Sequence, residues 1–144
     1  MTDTYFVDSN ILVYRRDLAA GPKQKRAWKW LDLLWKQRTG RLSIQVLNEF
    51  YITVTQRFSP GLSQEEAREE VQDYFAWKPV PITTEIVKLG FDIQDRFRFS
   101  YWDSLIISAA LSSGCRFLLS EDLQDGQDLD GLTVLNPLVH SPPA

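Results

Sequence analysis

Short strand-like segments alternate with longer segments of helical periodicity along this chain, and this alternation limits the possible folds more than any other feature. The strand-like segments are compact and apolar, β-branched or aromatic, and they lie at residues 4–7, 41–44, 116–119 and 132–135. Strands that are separated by helices usually pair in parallel, because a helical crossover returns the chain to the same end of the sheet. The pattern therefore predicts a layered α/β fold with a mostly parallel sheet.

The predicted helices begin and end at recognisable signals. Pro22 suits the first turn of a helix that Gly40 ends, and Ser63 with Glu66 forms a capping-box pattern at the start of another. Residues 102–112 are apolar nearly all round, so we expect a buried helix there. The other predicted elements are a helix after the first strand, helices at 45–58 and 84–97, and an edge strand or extended link at 80–82.

Size and composition indicate a single domain. A chain of 144 residues with 44% hydrophobic residues can close one sizeable core but not two. We assign residues 1–138 to this domain. The Pro-rich tail at 139–144, which contains the lone histidine, His140, is predicted to be disordered.

Nothing in the sequence marks export or a membrane. There is no apolar run of the length that a spanning helix needs, and the N-terminus lacks a basic signal region. Cys115 is the only cysteine, so an internal disulfide is excluded, which suits a reducing compartment. We expect a cytoplasmic protein.

The charge is distributed unevenly along the chain. The formal net charge is -3, yet residues 1–41 contain nine Lys and Arg against four Asp. Residues 42–144 contain seven Lys and Arg against fifteen Asp and Glu. The basic cluster of Lys23, Lys25, Arg26 and Lys29 is either the solvated face of a helix or a surface that meets RNA phosphates.

Two carboxylates directly follow predicted strands. Asp8 comes after the first strand, and Asp122 follows the strand at 116–119. In open parallel sheets, functional sites form beyond the carboxyl ends of the strands. An Asp in such a position is also a common helix cap, so each residue taken singly is weak support for a site.

Two more carboxylates lie in predicted helices. Asp103 begins the apolar helix, and a charge near the core would require a compensating partner such as a shared cation. Glu49 lies between Leu47 and Phe50 in another largely apolar helix, where the alternative is an exposed position on the outer face.

The available ligands favour a hard metal ion. Clustered carboxylates repel one another unless a divalent cation lies between them, and oxygen ligands select Mg²⁺ or Mn²⁺. With His140 and Cys115 as the only residues of their kinds, a zinc site and a Ser-His or Cys-His catalytic pair are excluded.

Four segments of the chain resemble the PIN-domain nucleases, and most closely the VapC-type toxins of bacterial toxin-antitoxin pairs. The segments are FVDSNILVY at 6–14, NEF at 48–50, YWDSLI at 101–106 and LLSEDL at 118–123. They occur in the expected order and at compatible spacing over nearly the whole chain.

The resemblance implies a fold, an activity and partners. The fold would be a three-layer PIN-like structure, with a mostly parallel sheet of four or five strands flanked by helices. The activity would be endonucleolytic cleavage of RNA with one or two Mg²⁺ or Mn²⁺ ions. The partners would be a small antitoxin protein and, since such toxins are often dimers, a second copy of the chain.

The resemblance also assigns residues to the site. Asp8, Glu49, Asp103 and Asp122 match its acidic positions, and Asn10 and Ser120 match polar positions beside the metal. We expect Asp8 and Asp103 to ligate metal directly, with Glu49 and Asp122 holding a second ion or positioning the attacking water. Asp125 could hold a metal-bound water, but membership of a solvated acidic loop explains it better.

Other functions are compatible with parts of the pattern. A haloacid-dehalogenase-like phosphatase is disfavoured because Asn10 occupies the position of its second Asp. A non-catalytic RNA-binding or scaffold domain, and a DNA nuclease on the same fold, remain alternatives to an endoribonuclease. Within the helix that starts at Pro22, Trp28, Trp30 and Trp35 either stack on unpaired bases or, as we expect, are buried against the sheet or in a subunit interface.

Overall fold

The protein has one five-stranded sheet in the computed structural model, which describes residues 2–143. In sheet order, the strands are β2 (Gly40–Arg41), β1 (Tyr5–Val7), β3 (Phe117–Leu119), β5 (Leu132–Leu135) and β4 (Asp128–Leu129). All neighbouring pairs are parallel except β4 and β5. The predicted, mostly parallel sheet of four or five strands is therefore confirmed.

Six α-helices flank the sheet in the described residues. They are α1 (Ser9–Arg16), α2 (Pro22–Gln37), α3 (Ile44–Ile52), α4 (Gln64–Asp73), α5 (Thr84–Phe97) and α6 (Tyr101–Ser112). Helix α1 packs against α2 and against α3, and α5 packs along α6. The capping box predicted at Ser63 and Glu66 is present at the start of α4, with both reciprocal hydrogen bonds formed.

The order of the strands determines where a site can form. From β1 the chain moves to β2 on one side, and it later returns to β3 on the other side of β1. The carboxyl ends of β1 and β3 therefore flank the point where the direction of winding reverses, which is where open α/β sheets leave a crevice. The register places Val7 beside Leu119, so Asp8 and Ser120 leave the sheet next to each other.

The structure modifies several predicted element limits. The helix expected at 45–58 is α3 only to Ile52, and it continues as a π-helical turn at Thr53–Arg57. The strand expected at 41–44 pairs with β1 only through Gly40 and Arg41, and a single parallel bridge joins Ser43 to Val80. Strand β4 was not predicted, because two residues carry no detectable periodicity.

The three tryptophans of α2 have different environments. Trp30 is buried, and Trp35 packs against the rings of Tyr74 and Trp77, with centroids 5.3 and 4.9 Å away. Trp28 is 48% exposed. Trp30 and Trp35 therefore pack within the chain as expected, and burial in a subunit interface stays a prediction for Trp28.

The described part of the C-terminal tail contacts the domain. The Trp30 Nε1 donates to the His140 carbonyl oxygen at 2.9 Å, and the His140 ring forms a 2.7 Å bond with Asp125. Disorder of residues 139–144 stays a prediction, and Ala144 lies outside the described residues. Within residues 2–143, no helix is long and apolar enough to cross a membrane.

Candidate active site

Asp8 occupies the junction between β1 and α1. Its backbone N–H donates to the Leu119 carbonyl at 3.0 Å, which continues the pairing of β1 with β3 for one more residue. Its Oδ1 accepts from the Ser9 N–H at 2.7 Å and so caps α1. Asp8 is only 6% exposed, so this carboxylate combines a capping role with an unusual degree of burial.

Ser120 and Asn10 connect Asp8 to Asp122. The buried Ser120 hydroxyl donates to Asp8 Oδ2 at 2.9 Å and accepts from the Asp122 N–H at 3.2 Å. The Asn10 amide donates to Asp122 Oδ2 at 3.0 Å. The two predicted supporting residues thus hold the two strand-end carboxylates in a fixed relation.

Glu49 reaches the same region from α3. Its Oε1 accepts from the Ser9 hydroxyl at 3.1 Å, and its Oε2 accepts from the Gln45 amide at 3.3 Å. The Gln45 amide also donates to the Trp102 carbonyl at 3.1 Å, which joins α3 to the start of α6. Glu49 is therefore half-buried and oriented inward, and the alternative of an outer-face position is excluded.

Asp103 lies in the first turn of α6. The buried residues of this helix, 104–110, come after it, so Asp103 is half-exposed rather than close to the core as its apolar surroundings in the sequence had suggested. Its N–H donates to the Ser100 hydroxyl, the cap of the helix, at 3.1 Å.

One open cleft of about 600 Å³ brings the four predicted carboxylates together. It is lined by Asp8, Ser9, Gln45, Asn48, Glu49, Ile52, Thr53, Arg57, Ile82, Trp102, Asp103 and Asp122. Arg57, at the end of the π-helical turn, is the one basic residue in this lining.

The electrostatics of the cleft are strongly negative. Within residues 2–143, none of the four carboxylates forms an ion pair with Lys, Arg or His. Burial, reinforced by the charges of Glu49 and Asp122, raises the pKa of Asp8 from 3.8 to about 7 despite the hydrogen bonds from Ser120 and Ser9. Burial and the charge of Asp122 also raise the pKa of Asp103.

The donor set matches a hard divalent cation in chemistry. Only carboxylate, hydroxyl and amide oxygens are available at the cleft, and Mg²⁺ or Mn²⁺ prefers such ligands. In the described part of the chain, no three His, Cys, Asp or Glu side chains are gathered closely enough to hold an ion by themselves. Magnesium commonly binds through one or two carboxylates and keeps several waters, so the residues at the cleft fit it.

Three contributors to the site were not predicted from the sequence. Ser9 and Gln45 orient Glu49, and Arg57 supplies a positive charge at the cleft. The only sequence signals were the position of Ser9 beside Asp8 and the four-residue spacing of Gln45 and Glu49. The partner of each side chain depends on the packing of α3 against α1, which the local sequence does not reveal.

Acidic side chains of the loop after β3 form hydrogen bonds that hold the loop against the domain. Glu121 accepts hydrogen bonds from the Tyr14 hydroxyl at 2.5 Å and from Lys23 Nζ at 2.8 Å. Asp125 Oδ1 accepts from the Asn136 N–H at 2.8 Å, and Oδ2 faces His140. Asp125 is thus occupied in holding the loop and does not line the cleft, in agreement with its assignment to an acidic loop.

One protein-family model matches the sequence over more than half of its length. The sequence model described as PIN domain matches residues 5–124. No curated protein sequence matches the chain significantly.

Several solved structures have a similar fold. VapBC2 from Rickettsia felis, bound to a DNA fragment from its promoter, is 18% identical with a TM-score of 0.62, over 91% of this chain and 96% of that one. A toxin-antitoxin complex from Klebsiella pneumoniae is 16% identical with a TM-score of 0.64, over 93% and 98% of the two chains. VapC20 of Mycobacterium tuberculosis, a toxin that cleaves the sarcin-ricin loop, is 16% identical with a TM-score of 0.63, over 83% and 92%.

Proposed function

The chain belongs to the PIN domain family, and on this basis we propose that it is a Mg²⁺- or Mn²⁺-dependent endoribonuclease, the toxin of a toxin-antitoxin pair. The observation that carries the proposal is the cleft in which Asp8, Glu49, Asp103 and Asp122 converge without a cationic partner in the described residues. Four carboxylates in one cleft repel one another, and a divalent cation offsets this repulsion.

The chain's own residues prepare the site for a metal and a phosphodiester. Ser120 and the cap of α1 fix both oxygens of Asp8, while Asn10 fixes Asp122. Ser9 and Gln45 hold the two oxygens of Glu49. Because these side chains are hydrogen-bonded in advance, little reorganisation is needed when substrate binds.

We assign Asp8 and Asp103 as direct metal ligands, and Glu49 and Asp122 as residues that hold a second ion or position the attacking water. A bound Mg²⁺ or Mn²⁺ lowers the pKa of a ligated water, orients the scissile phosphate and offsets the charge of the transition state. Arg57 lies at the same cleft, where its guanidinium can contact a neighbouring phosphate of the substrate.

RNA as substrate and a protein antitoxin as partner are inferred from the neighbours in fold. One of them is a toxin that cleaves the sarcin-ricin loop, and two are toxin-antitoxin assemblies. We also propose a homodimer, which the resemblance to VapC-type toxins implies. The residues at the cleft do not distinguish RNA from DNA, because both nucleic acids offer the same phosphodiester group to a metal.

The direct test is cleavage of total RNA by the purified protein with and without Mn²⁺, followed by mapping of the cut ends. We expect discrete cuts that require metal and that disappear in Asp8→Asn and Asp103→Asn. A single-stranded DNA of matched sequence serves as the parallel substrate. Circular dichroism of each variant separates loss of activity from loss of fold.

Three outcomes would overturn the proposal. Cutting that persists at the same sites in both variants would show that the cleft is not the active site. Metal-dependent cleavage of DNA with RNA left intact would establish the alternative of a DNA nuclease, and absence of all cleavage with retained RNA binding would favour a non-catalytic domain.

A further inference from the structure

We propose that α2 and the C-terminal segment form a second RNA-binding surface beside the cleft, named here the α2 ridge. The side chains of Lys25, Arg26 and Lys29 bind the phosphates of the RNA, and the Trp28 ring stacks on a base. The inference extends the proposed function, because the ligand of the ridge is single-stranded RNA that continues beyond the cleft.

The charge of the ridge is available to a ligand. Lys25, Arg26 and Lys29 are exposed, and none of them forms an ion pair within residues 2–143. Their spacings of three and four residues place them on neighbouring parts of one helix face. A free cluster of this kind stands out in a chain with a net charge of -3, and cations of this kind supply most of the affinity for phosphate backbones.

The cations face a concavity rather than a convex helix surface. Together with Pro22, Ser141 and Pro142 they line a groove of about 230 Å³. The C-terminal segment forms its second wall, because the bonds of Trp30 and Asp125 to His140 hold the segment against the domain.

Trp28 adds a feature that favours RNA over an acidic protein. Although the Arg15 guanidinium lies 4.4 Å from the ring centroid, the residue remains 48% exposed. It lines a second concavity of about 300 Å³ with Gln24, Lys25 and Lys29. A basic groove combined with an accessible aromatic ring is the usual arrangement for single-stranded nucleic acids, whose bases stack on the ring.

The ridge adjoins the cleft through one ion pair. Lys23, in the first turn of α2, places its Nζ 2.8 Å from Glu121 Oε2. Glu121 directly precedes Asp122, which lines the cleft. A strand that leaves the cleft past Asp122 therefore meets the start of α2.

Fluorescence anisotropy with a labelled 15-nucleotide oligo-uridine, in EDTA to prevent cleavage, tests the proposal. The test variant combines Lys25→Gln, Arg26→Gln and Lys29→Gln. The matched control combines Lys88→Gln, Arg98→Gln and Arg116→Gln, which removes the same charge from exposed positions off the ridge. We expect the ridge variant to raise the Kd at least about tenfold, and the slope of log Kd against log salt to fall by about 2.

Two further results bear on the assignment of the ligand. Trp28→Leu should raise the Kd for oligo-uridine about fivefold or more, because it removes the stacking surface. Equal affinities of the ridge variant and its control, or an unchanged Kd in Trp28→Leu, would overturn the proposal. So would binding of a labelled oligo-glutamate that the ridge variant loses while RNA binding stays intact.

Cleavage of a four-nucleotide RNA with Mn²⁺ separates this inference from the proposed function. The short RNA is expected to be cut equally by wild type and ridge variant, since it occupies the cleft alone. If no RNA is cut but the ridge variant still loses oligo-uridine binding, the ridge stands and the nuclease proposal fails. If RNA is cut and the ridge variant binds like its control, the ridge alone is refuted.

Discussion

Among the single residues of the site, Asp8 depends most on its surroundings. It was expected at the site because it follows β1, and the strand-end rule placed Asp122 equally well. Its burial was not visible in the sequence, since it results from the pairing of β1 with β3 and the packing of α1 and α3 around their ends. Local sequence identifies a residue type at a strand end, whereas its electrostatics depend on distant elements.

Asp8→Asn should stabilise the metal-free fold at neutral and alkaline pH. The folded-state pKa of about 7 exceeds the unfolded value of 3.8, so the folded protein binds this proton more tightly and loses stability as pH rises between the two values. The loss is complete above pH 7 and amounts to at most about 4 kcal/mol. Urea denaturation in EDTA at several pH values should show the gain of Asp8→Asn growing from about pH 4 to pH 7.

The exposed Asp95 on α5 provides the control for this series. Asp95→Asn removes the same charge at a position away from the cleft, and it should not reproduce the gain in stability of Asp8→Asn. An Asp8→Asn variant that is no more stable than wild type at pH 8 would mean that Asp8 is already compensated in the folded protein.

Ser120→Ala should shift the pH dependence of cleavage. The Ser120 hydroxyl is one of the bonds that lower the pKa of Asp8, so its removal raises that pKa further and makes ionisation of the carboxylate harder. We expect the rising limb of the pH–rate profile with Mn²⁺ to move to higher pH, and activity at pH 7 to fall about 10- to 100-fold. A fall in rate with an unmoved pH profile would assign Ser120 a purely structural role.

At the scale of elements, α1 and α4 are joined by an arginine–carboxylate pair. Arg16 donates to Glu70, which is buried and whose second oxygen has no hydrogen-bond partner in the described residues. Helix α5 is joined to the turn after β4 by a second pair, which is exposed to solvent. In it, the two terminal guanidinium nitrogens of Arg96 donate to the Asp130 carboxylate, at 2.7 and 2.8 Å. The two pairs test whether geometry or burial determines the stabilisation.

Arg16→Met should lower the free energy of unfolding by about 2–4 kcal/mol, because it leaves a buried carboxylate without its partner. Arg96→Met should cost clearly less in spite of its better geometry, since water screens the exposed pair. Urea denaturation of both variants measures the difference. Equal losses would contradict the role assigned to burial.

The elements also show how far sequence patterns extend. Periodicity and capping signals located all the long helices, because such signals are local. The end of α3 at Ile52 and the π-helical turn after it were missed, since Thr53–Arg57 has the same composition as a continuing helix. Arg57 ends that turn and lines the cleft. Because the turn was not predicted, Arg57 was not predicted as a residue of the cleft either.

At the scale of the whole molecule, sheet order was the step that no local pattern could supply. Alternating strands and helices predicted a parallel sheet, but only pairing shows that β3 lies beside β1 and that Ser120 therefore contacts Asp8. The contacts of the tail are equally nonlocal, because the side chains that bond His140 are those of Trp30 and Asp125. Partners that are distant in sequence decide both features.

Of the tryptophans of α2, Trp28 stays exposed, and two further exposed rings are candidates for the predicted homodimer interface. Trp30 and Trp35 pack within the chain, whereas Phe91 on α5 and Trp102 on α6 are 53% and 59% exposed, and both rings pack against that of Tyr101. Sedimentation at micromolar concentration should show a dimer that Phe91→Ser weakens at least about tenfold, while Leu18→Ser, at another exposed apolar position, has no effect. Sedimentation as a monomer throughout would contradict the prediction.

The central claim is that the cleft lined by the four carboxylates binds divalent metal, and calorimetric titration with Mn²⁺ tests it most directly. We predict that the wild-type protein and the control Asp95→Asn bind one or two ions per chain. Asp8→Asn and Asp103→Asn should weaken binding at least about tenfold. Glu49→Gln and Asp122→Asn should lose a second ion or bind more weakly. Failure of the wild-type protein to bind Mn²⁺, or equal binding by all four variants, would contradict the account.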